Sequence, residues 1–363
     1  MRIAHIVTPD FPFTRAYGGT ESIVCTLAEK QISEGHDVTI VASPPSDDER
    51  LHTITLVKPA HKYSNWLLNW ISQRINGTNH VIKSLKWLDS KFDIIHNHLS
   101  EEGITFSFLR KSPCLNTLHG TPHERFLQYS VTQLYSITRD TKLVALSKFA
   151  YLRFKRFYGD DLIGYVHNGV DTDLFKFIPT IEKESEIELC FVGRIAPDKS
   201  PKEVIFITDE LHNRGIDVHL KLIGKYDPRN AAYYQSVIKM INERDYLSKF
   251  INIKQKEIPK LVGNSDIFVF PISKTEPLAL APLESMACGT PVVSLKRAAA
   301  MEYLSNGVNG FLCDDLSEMS EAILRFREID RRMCRKIVER NFSVGSMYSG
   351  YMEKYEKIIE LAQ

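Results

Sequence analysis

Val269-Phe270-Pro271-Ile272-Ser273-Lys274-Thr275-Glu276-Pro277-Leu278-Ala279-Leu280-Ala281-Pro282-Leu283-Glu284-Ser285-Met286-Ala287-Cys288-Gly289-Thr290-Pro291-Val292-Val293 reads as strand, loop, helix and strand in one breath. The apolar run ends at Phe270, and a helix starts near Ala281-Pro282, where a first-turn proline is tolerated. Small residues and Gly289 stop the helix before Pro291, and a second apolar run begins. Strands apolar throughout and separated by helices indicate a parallel sheet covered on both faces.

The same alternation extends both ways. Strands are expected at 3–8, 38–42, 54–57, 93–96, 115–119, 142–146 and 163–167, with helical patterns at 21–34 and 148–158. Glu182-Lys183-Glu184-Ser185-Glu186-Ile187-Glu188 is charged and aperiodic, as a linker is. Strands then recur at 189–192, 218–223, 250–253, 267–270 and 292–295, and a Tyr- and Lys-rich helix at 346–361 closes the chain. The expectation is an α/β protein of two doubly wound Rossmann-like domains, 1–177 with 345–363 and 178–344. They would face a central cleft, with the last helix returning to the N-terminal domain.

Composition narrows the function. The 363 residues carry 46 Lys and Arg against 45 Asp and Glu, a net charge of +1, which argues against coating nucleic acid. Cys25, Cys114, Cys190, Cys288, Cys313 and Cys334 form no C-x-x-C pair and read as reduced core thiols of a cytoplasmic protein. The N-terminus reads as a first strand rather than a targeting segment. No apolar run approaches the roughly 18 residues that span a membrane. No G-x-G and no G-x-x-x-x-G-K-[ST] occurs, so neither a dinucleotide-binding dehydrogenase nor a P-loop NTPase fits.

The chemistry-bearing residues sit at strand ends. Arg194 and Lys199 follow the strand Leu189-Cys190-Phe191-Val192. Lys199 lies near a helix start, where a cation is unfavourable unless an anion offsets it; a diphosphate would satisfy both, and two solvated surface charges are the plain alternative. Glu276 in its loop and Glu284 one turn into its helix can converge on one ligand, since carboxylates accept hydrogen bonds from neighbouring sugar hydroxyls. Gly18-Gly19 before the first helix is either a tight turn or a backbone approach to an anion.

Glu276-x7-Glu284 followed by Ser285-Met286-Ala287-Cys288-Gly289-Thr290-Pro291 resembles the signature of the family 4 retaining glycosyltransferases, which have the GT-B fold. Other pieces match in order. They are Gly18-Gly19, Asp93-Ile94-Ile95-His96-Asn97-His98, Leu118-His119-Gly120, Ser147-Lys148, His167-Asn168-Gly169-Val170-Asp171-Thr172-Asp173-Leu174-Phe175, Gly193-Arg194 with Lys199, and Asn306-Gly307-Val308-Asn309-Gly310-Phe311. The resemblance implies transfer of a sugar from a nucleoside-diphosphate sugar. Arg194 and Lys199 would hold the diphosphate, Glu284 the ribose, Glu276 the transferred sugar, and His119 would lie near the anomeric centre and the 6-position. Gly19 would offer its N–H. Leu278, Ala279 and Leu280 would line the donor.

Retention without a second carboxylate nucleophile favours same-face attack through an oxocarbenium-like transition state. No Asp-x-Asp motif stands out as a metal holder, and the pairs Asp47-Asp48, Asp160-Asp161 and Asp314-Asp315 read as solvated, so no metal and no other cofactor is expected. One departure from the family pattern is Pro277-Leu278-Ala279 in place of Gly-Phe-Gly, which removes a backbone donor; another is Ser200, where a glycine usually follows the lysine.

Arg15, Tyr17, His98 and His123 are candidates for the acceptor side, the acceptor being a sugar, a lipid-linked or a small molecule. His96 and His98 alternate on one strand and point the same way, toward the core or cleft edge rather than a metal. The segment from Trp66 through Trp70, Ile71 and Arg74 to Lys83, Lys86 and Trp87 is amphipathic and basic. It either packs its Trp face on the first domain or makes a weak peripheral contact with the inner membrane face. A nucleotide-sugar epimerase or hydrolase and a non-catalytic nucleotide-sugar sensor are the alternatives to transfer.

Overall fold

The computed structural model describes all residues except 10–12, 14–18, 44–50, 62–64, 121–141, 180–185 and 363. The chain divides into two compact units, Met1–Gly169 with Val344–Gln363 and Val170–Ser343. In the first unit seven strands form one parallel sheet. They are β1 (Arg2–Ile6), β2 (Asp37–Val41), β3 (His52–Ile54), β4 (Ile94–Asn97), β5 (Cys114–Leu118), β6 (Lys142–Ala145) and β7 (Leu162–Tyr165). Their order is β3-β2-β1-β4-β5-β6-β7. Helices α1 (Gly19–Ser33), α2 (Trp66–Leu88), α3 (Ser100–Phe106) and α4 (Lys148–Tyr158) connect them.

The strands are apolar because both faces are covered. Ala4, Ile6 and Ile95 from the sheet meet Val81, Leu85 and Leu88 of α2, all buried. On the other flank Leu118, Leu143 and Leu162 meet Ala150, Phe154 and Tyr158 of α4. Each fully buried Leu or Phe contributes about 1.5–3 kcal/mol.

The second unit repeats the scheme with β8 (Ile187–Arg194), β9 (Val218–Lys225), β10 (Leu247–Ile251), β11 (Ile267–Phe270), β12 (Val292–Leu295) and β13 (Gly310–Cys313). Their order is β10-β9-β8-β11-β12-β13, and every pairing is parallel. The helices are α5 (Pro201–Asn213), α6 (Ala231–Asn242), α7 (Ile258–Gly263), α8 (Leu280–Ala287), α9 (Ala300–Tyr303), α10 (Leu316–Ile323) and α11 (Arg331–Asn341). Then α12 (Val344–Ala362) returns to the first unit and buries Met347, Tyr351, Met352, Tyr355 and Ile358.

Two differences from the sequence reading have physical causes. Residues 170–177, assigned there to the first domain, pack within the second unit. The Val170 N–H donates to Phe342 O at 2.7 Å, and Arg335 donates to Thr172 O at 3.0 Å. Strand β13 has no counterpart among the expected strands, because Asn306-Gly307-Val308-Asn309-Gly310 carries turn signals, and residues 307–309 do form a turn. Gly310 instead opens a strand so close to β12 that an added Cβ would lie 2.0 Å from the Val292 carbonyl oxygen. All six cysteines are buried and free.

Ser200 stands at the N-cap of α5 with φ 54° and ψ 42°, the left-handed region that favours glycine. A non-glycine residue there costs about 1–2 kcal/mol, partly offset because glycine also loosens the unfolded chain. Ser200→Gly is expected to raise the Tm of the second unit's transition by about 2 °C in calorimetry; an unchanged or lowered Tm would show that no strain is stored there.

Candidate active site

In open parallel sheets ligands bind beyond the carboxyl ends of the strands, at the point where strand order reverses. In the second unit that point lies between β8 and β11. Arg194 ends β8, a 3-10 turn (Pro197–Lys199) follows it, and Glu276 lies in the loop after β11. Lys199 Nζ donates directly to Glu276 Oε2, and both side chains are four-fifths or more buried.

Arg194 donates to Asp227 Oδ2 at 2.9 Å and to Asp198 Oδ2 at 2.8 Å. Arg229, and then Arg194, hold the Asp227 carboxyl well below the usual carboxylate range. The two cations therefore have carboxylate partners that an incoming anion would have to replace.

Helix α8 begins after Ala279, whose side chain caps nothing. Its first amides keep unused donors and the positive end of the helix dipole. Leu278 and Ala279 are buried, so this loop presents backbone rather than side chains. The Glu284 side chain, in the second turn of α8, makes no hydrogen bond or ion pair with a described residue, and burial pushes its carboxyl up to about 7. Gly289, with φ 92°, ends the helix, and its N–H donates to Met286 O at 3.0 Å. Tyr303 on α9 was not singled out from sequence. Its hydroxyl is buried without a hydrogen-bond partner among the described residues, and its pKa is raised first by burial and then by the charge of Glu276.

The first unit has its own cluster at the ends of β1, β4 and β5. His5 Nδ1 lies 3.0 Å from His98 Nε2, and His98 Nδ1 lies 2.9 Å from His119 Nε2. His5 Nε2 meets Gln31 Oε1 of α1 at 2.8 Å. His96 meets Tyr355 of α12 at 2.6 Å and Thr117 at 2.7 Å. Burial lowers all four histidine pKa values, those of His5 and His119 to about 4.

Nitrogens of His5, His96 and His98 lie within 4.8 Å of one another, the spacing of a metal set. Each of those nitrogens already has a protein hydrogen-bond partner, so the hydrogen-bonded core reading accounts for all of them. His5, Gln31 and Tyr355 were missed in the sequence. A polar residue inside an apolar strand, as in Ile3-Ala4-His5-Ile6, was the available signal.

Of the acceptor-side candidates, His98 is buried between His5 and His119 rather than displayed. With Thr20, Glu21, Trp70, Gln73 and Arg74 it borders a pocket of 360 Å³. Arg15, Tyr17, Gly18 and His123 lie outside the described residues, as does Asp47-Asp48. Gly19 is the first residue of α1. In each of the other acidic pairs at least one carboxylate is engaged. Asp160 binds Lys155, Asp161 binds Lys142, and Asp315 caps α10. Asp171-Thr172-Asp173 has Asp-x-Asp spacing, and Asp171 accepts the N–H groups of Asp173 and Leu174 at 3.0 Å.

Helix α2 splits in two. Its C-terminal half packs on the core through Val81, Leu85 and Leu88, with Trp87 partly buried beside them. Leu67, Leu68, Trp70, Ile71 and Ile75 of its N-terminal half are 38–65% exposed, against the expectation of a packed Trp face. No described helix is long and apolar enough to cross a membrane.

Residues 174–343 match the family model described as glycosyl transferases group 1, and residues 17–174 match that of glycosyltransferase family 4. Among curated proteins, spore coat protein SA of Bacillus subtilis is 26% identical over 46% of this chain, and the match spans about half (48%) of that protein's length. The Escherichia coli UDP-Gal:alpha-D-GlcNAc-diphosphoundecaprenol alpha-1,3-galactosyltransferase is 24% identical over 73% of this chain and 77% of its own. Among solved structures, Anabaena HepE in complex with UDP superposes with a TM-score of 0.77 at 16% identity, over 98% of this chain and 100% of that one, a likeness of fold. With a model matched in each half and the GT-B fold in common, the chain belongs to the family 4, group 1 glycosyltransferases.

Proposed function

We propose that the protein is a retaining, metal-independent glycosyltransferase that moves a hexosyl group from a nucleoside-diphosphate sugar to an acceptor hydroxyl. The observation that carries this reading is the polar cluster at the β8–β11 switch point. There two cations, an uncapped helix start and a carboxyl with no partner among the described residues lie within one unit.

Arg194 and Lys199 take the diphosphate, exchanging Asp198, Asp227 and Glu276 for phosphate oxygens. Glu276, released from Lys199, accepts from hydroxyls of the transferred sugar. The amides of Leu278, Ala279 and Leu280 face the anion at the α8 start, and Gly19 does the same at α1. Glu284 accepts from the ribose hydroxyls, and His119 serves the sugar near its anomeric carbon. The anomeric C–O bond breaks as charge builds on the leaving diphosphate. Fixed cations and dipoles stabilise that charge without a divalent ion. The leaving phosphate takes the acceptor's proton on the same face. An acceptor carried on a lipid, as the name of the Escherichia coli relative states for that protein, suits the exposed apolar half of α2 beside the pocket at Trp70.

The decisive experiment is sugar release from a panel of labelled donors with and without acceptor extracts. Acceptor-dependent product, lost by about 10²-fold or more in Arg194→Ala and Lys199→Ala, is expected. Hydrolysis alone, or tight binding with no turnover, would replace this reading with a hydrolase or a sensor.

Glu284 makes a pH prediction. Its folded-state pKa, about 7, lies above the ordinary 4.5, so the folded chain holds the proton more tightly. That contribution to stability is fully present below about pH 4.5 and is lost as pH rises through 7. Ribose hydroxyls donate to the ionised form, so affinity for a nucleoside-diphosphate sugar rises from pH 6 to 8. Glu284→Gln is expected to flatten that rise in calorimetric titration, to weaken binding at pH 8 by about tenfold or more, and to raise the Tm at pH 8 but not at pH 5. A flat wild-type profile would remove Glu284 from the donor site.

Sedimentation with vesicles tests the membrane contact. Binding to vesicles rich in anionic lipid is expected, and Leu68→Glu with Ile75→Glu should abolish it while leaving donor binding unchanged. Equal sedimentation of both forms would exclude this face.

A further inference from the structure

The four clustered histidines His5, His96, His98 and His119 carry more information than their burial. Gln31 Oε1 can only accept, so His5 Nε2, 2.8 Å away, bears a proton. A neutral imidazole has one N–H, and burial keeps these rings neutral. His5 Nδ1 is therefore a lone pair, and His98 Nε2 at 3.0 Å must donate to it. His98 Nδ1 is in turn a lone pair, and His119 Nε2 at 2.9 Å must donate to it. His119 Nδ1 is what remains, and it carries no hydrogen.

The direction of this chain depends on which way the Gln31 amide points, and a second contact sets it. The structure turns Gln31 Nε2 toward Tyr355 Oη at 3.3 Å and Oε1 toward His5. An amide nitrogen only donates, so the phenol oxygen accepts from Gln31 and its own hydrogen goes to His96 Nδ1 at 2.6 Å. The other ring nitrogen of His96 then donates to Thr117 at 2.7 Å. Among the described residues nothing bonds His119 Nδ1.

We propose that Gln31, His5 and His98 are positioning residues that hold His119 as its Nε2–H tautomer, so that Nδ1 meets the transferred sugar as an acceptor and selects a donor bearing a hydroxyl there rather than a carboxylate. A hydroxyl donates to the lone pair. A carboxylate brings only further lone pairs and leaves both groups unmatched inside a buried site. The donor part rests on the placement of His119 at the sugar made above; the tautomer part stands on the first unit alone.

The test uses the full chain labelled with 15N-histidine, without donor, at pH 7. Long-range proton–nitrogen spectra distinguish a protonated from an unprotonated ring nitrogen. His119, assigned by loss of its signals in His119→Gln, should show hydrogen on Nε2 and a bare Nδ1. Hydrogen on Nδ1, or averaging between the two nitrogens, overturns the relay with no positioning variant needed.

Gln31→Glu keeps the acceptor and should keep the tautomer. Gln31→Leu removes it and should let His119 sample both forms, whereas an unchanged spectrum overturns the role of Gln31. If Gln31→Leu does not fold, the wild-type and Gln31→Glu spectra still decide.

The donor arm compares turnover of matched nucleoside-diphosphate hexose and hexuronate. The wild type should favour the hexose by tenfold or more in kcat/KM, and Gln31→Leu should narrow that ratio; a hexuronate preference overturns the selection. A chain that transferred no sugar would leave the tautomer result standing, and a wrong tautomer with transfer intact would sink the relay alone.

Discussion

All-parallel strand pairing is the constraint from which the rest follows. A parallel pair cannot be closed by a hairpin, so every strand is followed by a crossover that returns the chain to the same starting edge. The carboxyl ends of all strands in a unit therefore lie along one edge. In the second unit the chain runs from β8 to β9 and β10 on one side, then crosses to β11, β12 and β13 on the other. That crossing leaves the ends of β8 and β11 adjacent, the place where ligands bind in such sheets. Arg194, Lys199 and Glu276 occupy that place because the loops after these two strands have nowhere else to go.

The charges held there are balanced against one another. Two cations on one strand end would repel, and each is quieted by carboxylates. Asp227 takes Arg229 as well as Arg194, and Glu276 takes Lys199. Such pairs add little net stability once desolvation is counted. Their value is that the cations are held in place, at the cost of partners that must be exchanged. Glu284 is the opposite case. Among the described residues no cation reaches this carboxyl, so its environment favours the neutral form and a ligand that donates hydrogen bonds favours the charged one. Among the described residues the Glu284 carboxyl, the Tyr303 hydroxyl and the start of α8 are the unsatisfied points of this site.

What could be read from the sequence divides along the same lines. Parallel strands announce themselves as apolar runs, and the helices between them by their period, so the seven strands of the first unit and α4 were legible with ends displaced by a few residues. Strand β13 was not, because Gly310 is demanded by the approach of β12 from a distant part of the chain and local reading takes it for a turn. In the second unit the short segments Arg194–Lys199 and Glu276–Glu284 could each be read locally at strand ends, but the direct pairing of Lys199 with Glu276 across 77 residues could not. The histidine chain was not legible, because His5, Gln31, His98, His119 and Tyr355 are brought together only by the sheet order and by α12. His96, His98 and His119 were legible one by one, but nothing in the sequence linked them to one another or to His5, Gln31 and Tyr355.

Pro277-Leu278-Ala279, the departure from the family pattern, acquires a physical meaning. Proline removes one amide from the loop, and burial of Leu278 and Ala279 fixes the following backbone. The amides that remain belong to residues whose side chains are anchored in the core and to a helix start that no side chain caps. A glycine-rich loop offers more donors and must be ordered when the ligand arrives, at a backbone cost of about 1–2 kcal/mol per residue. This loop offers fewer donors and is already ordered. The exchange narrows the set of anions and sugars the loop can follow, and favours a donor whose shape matches the loop as it stands.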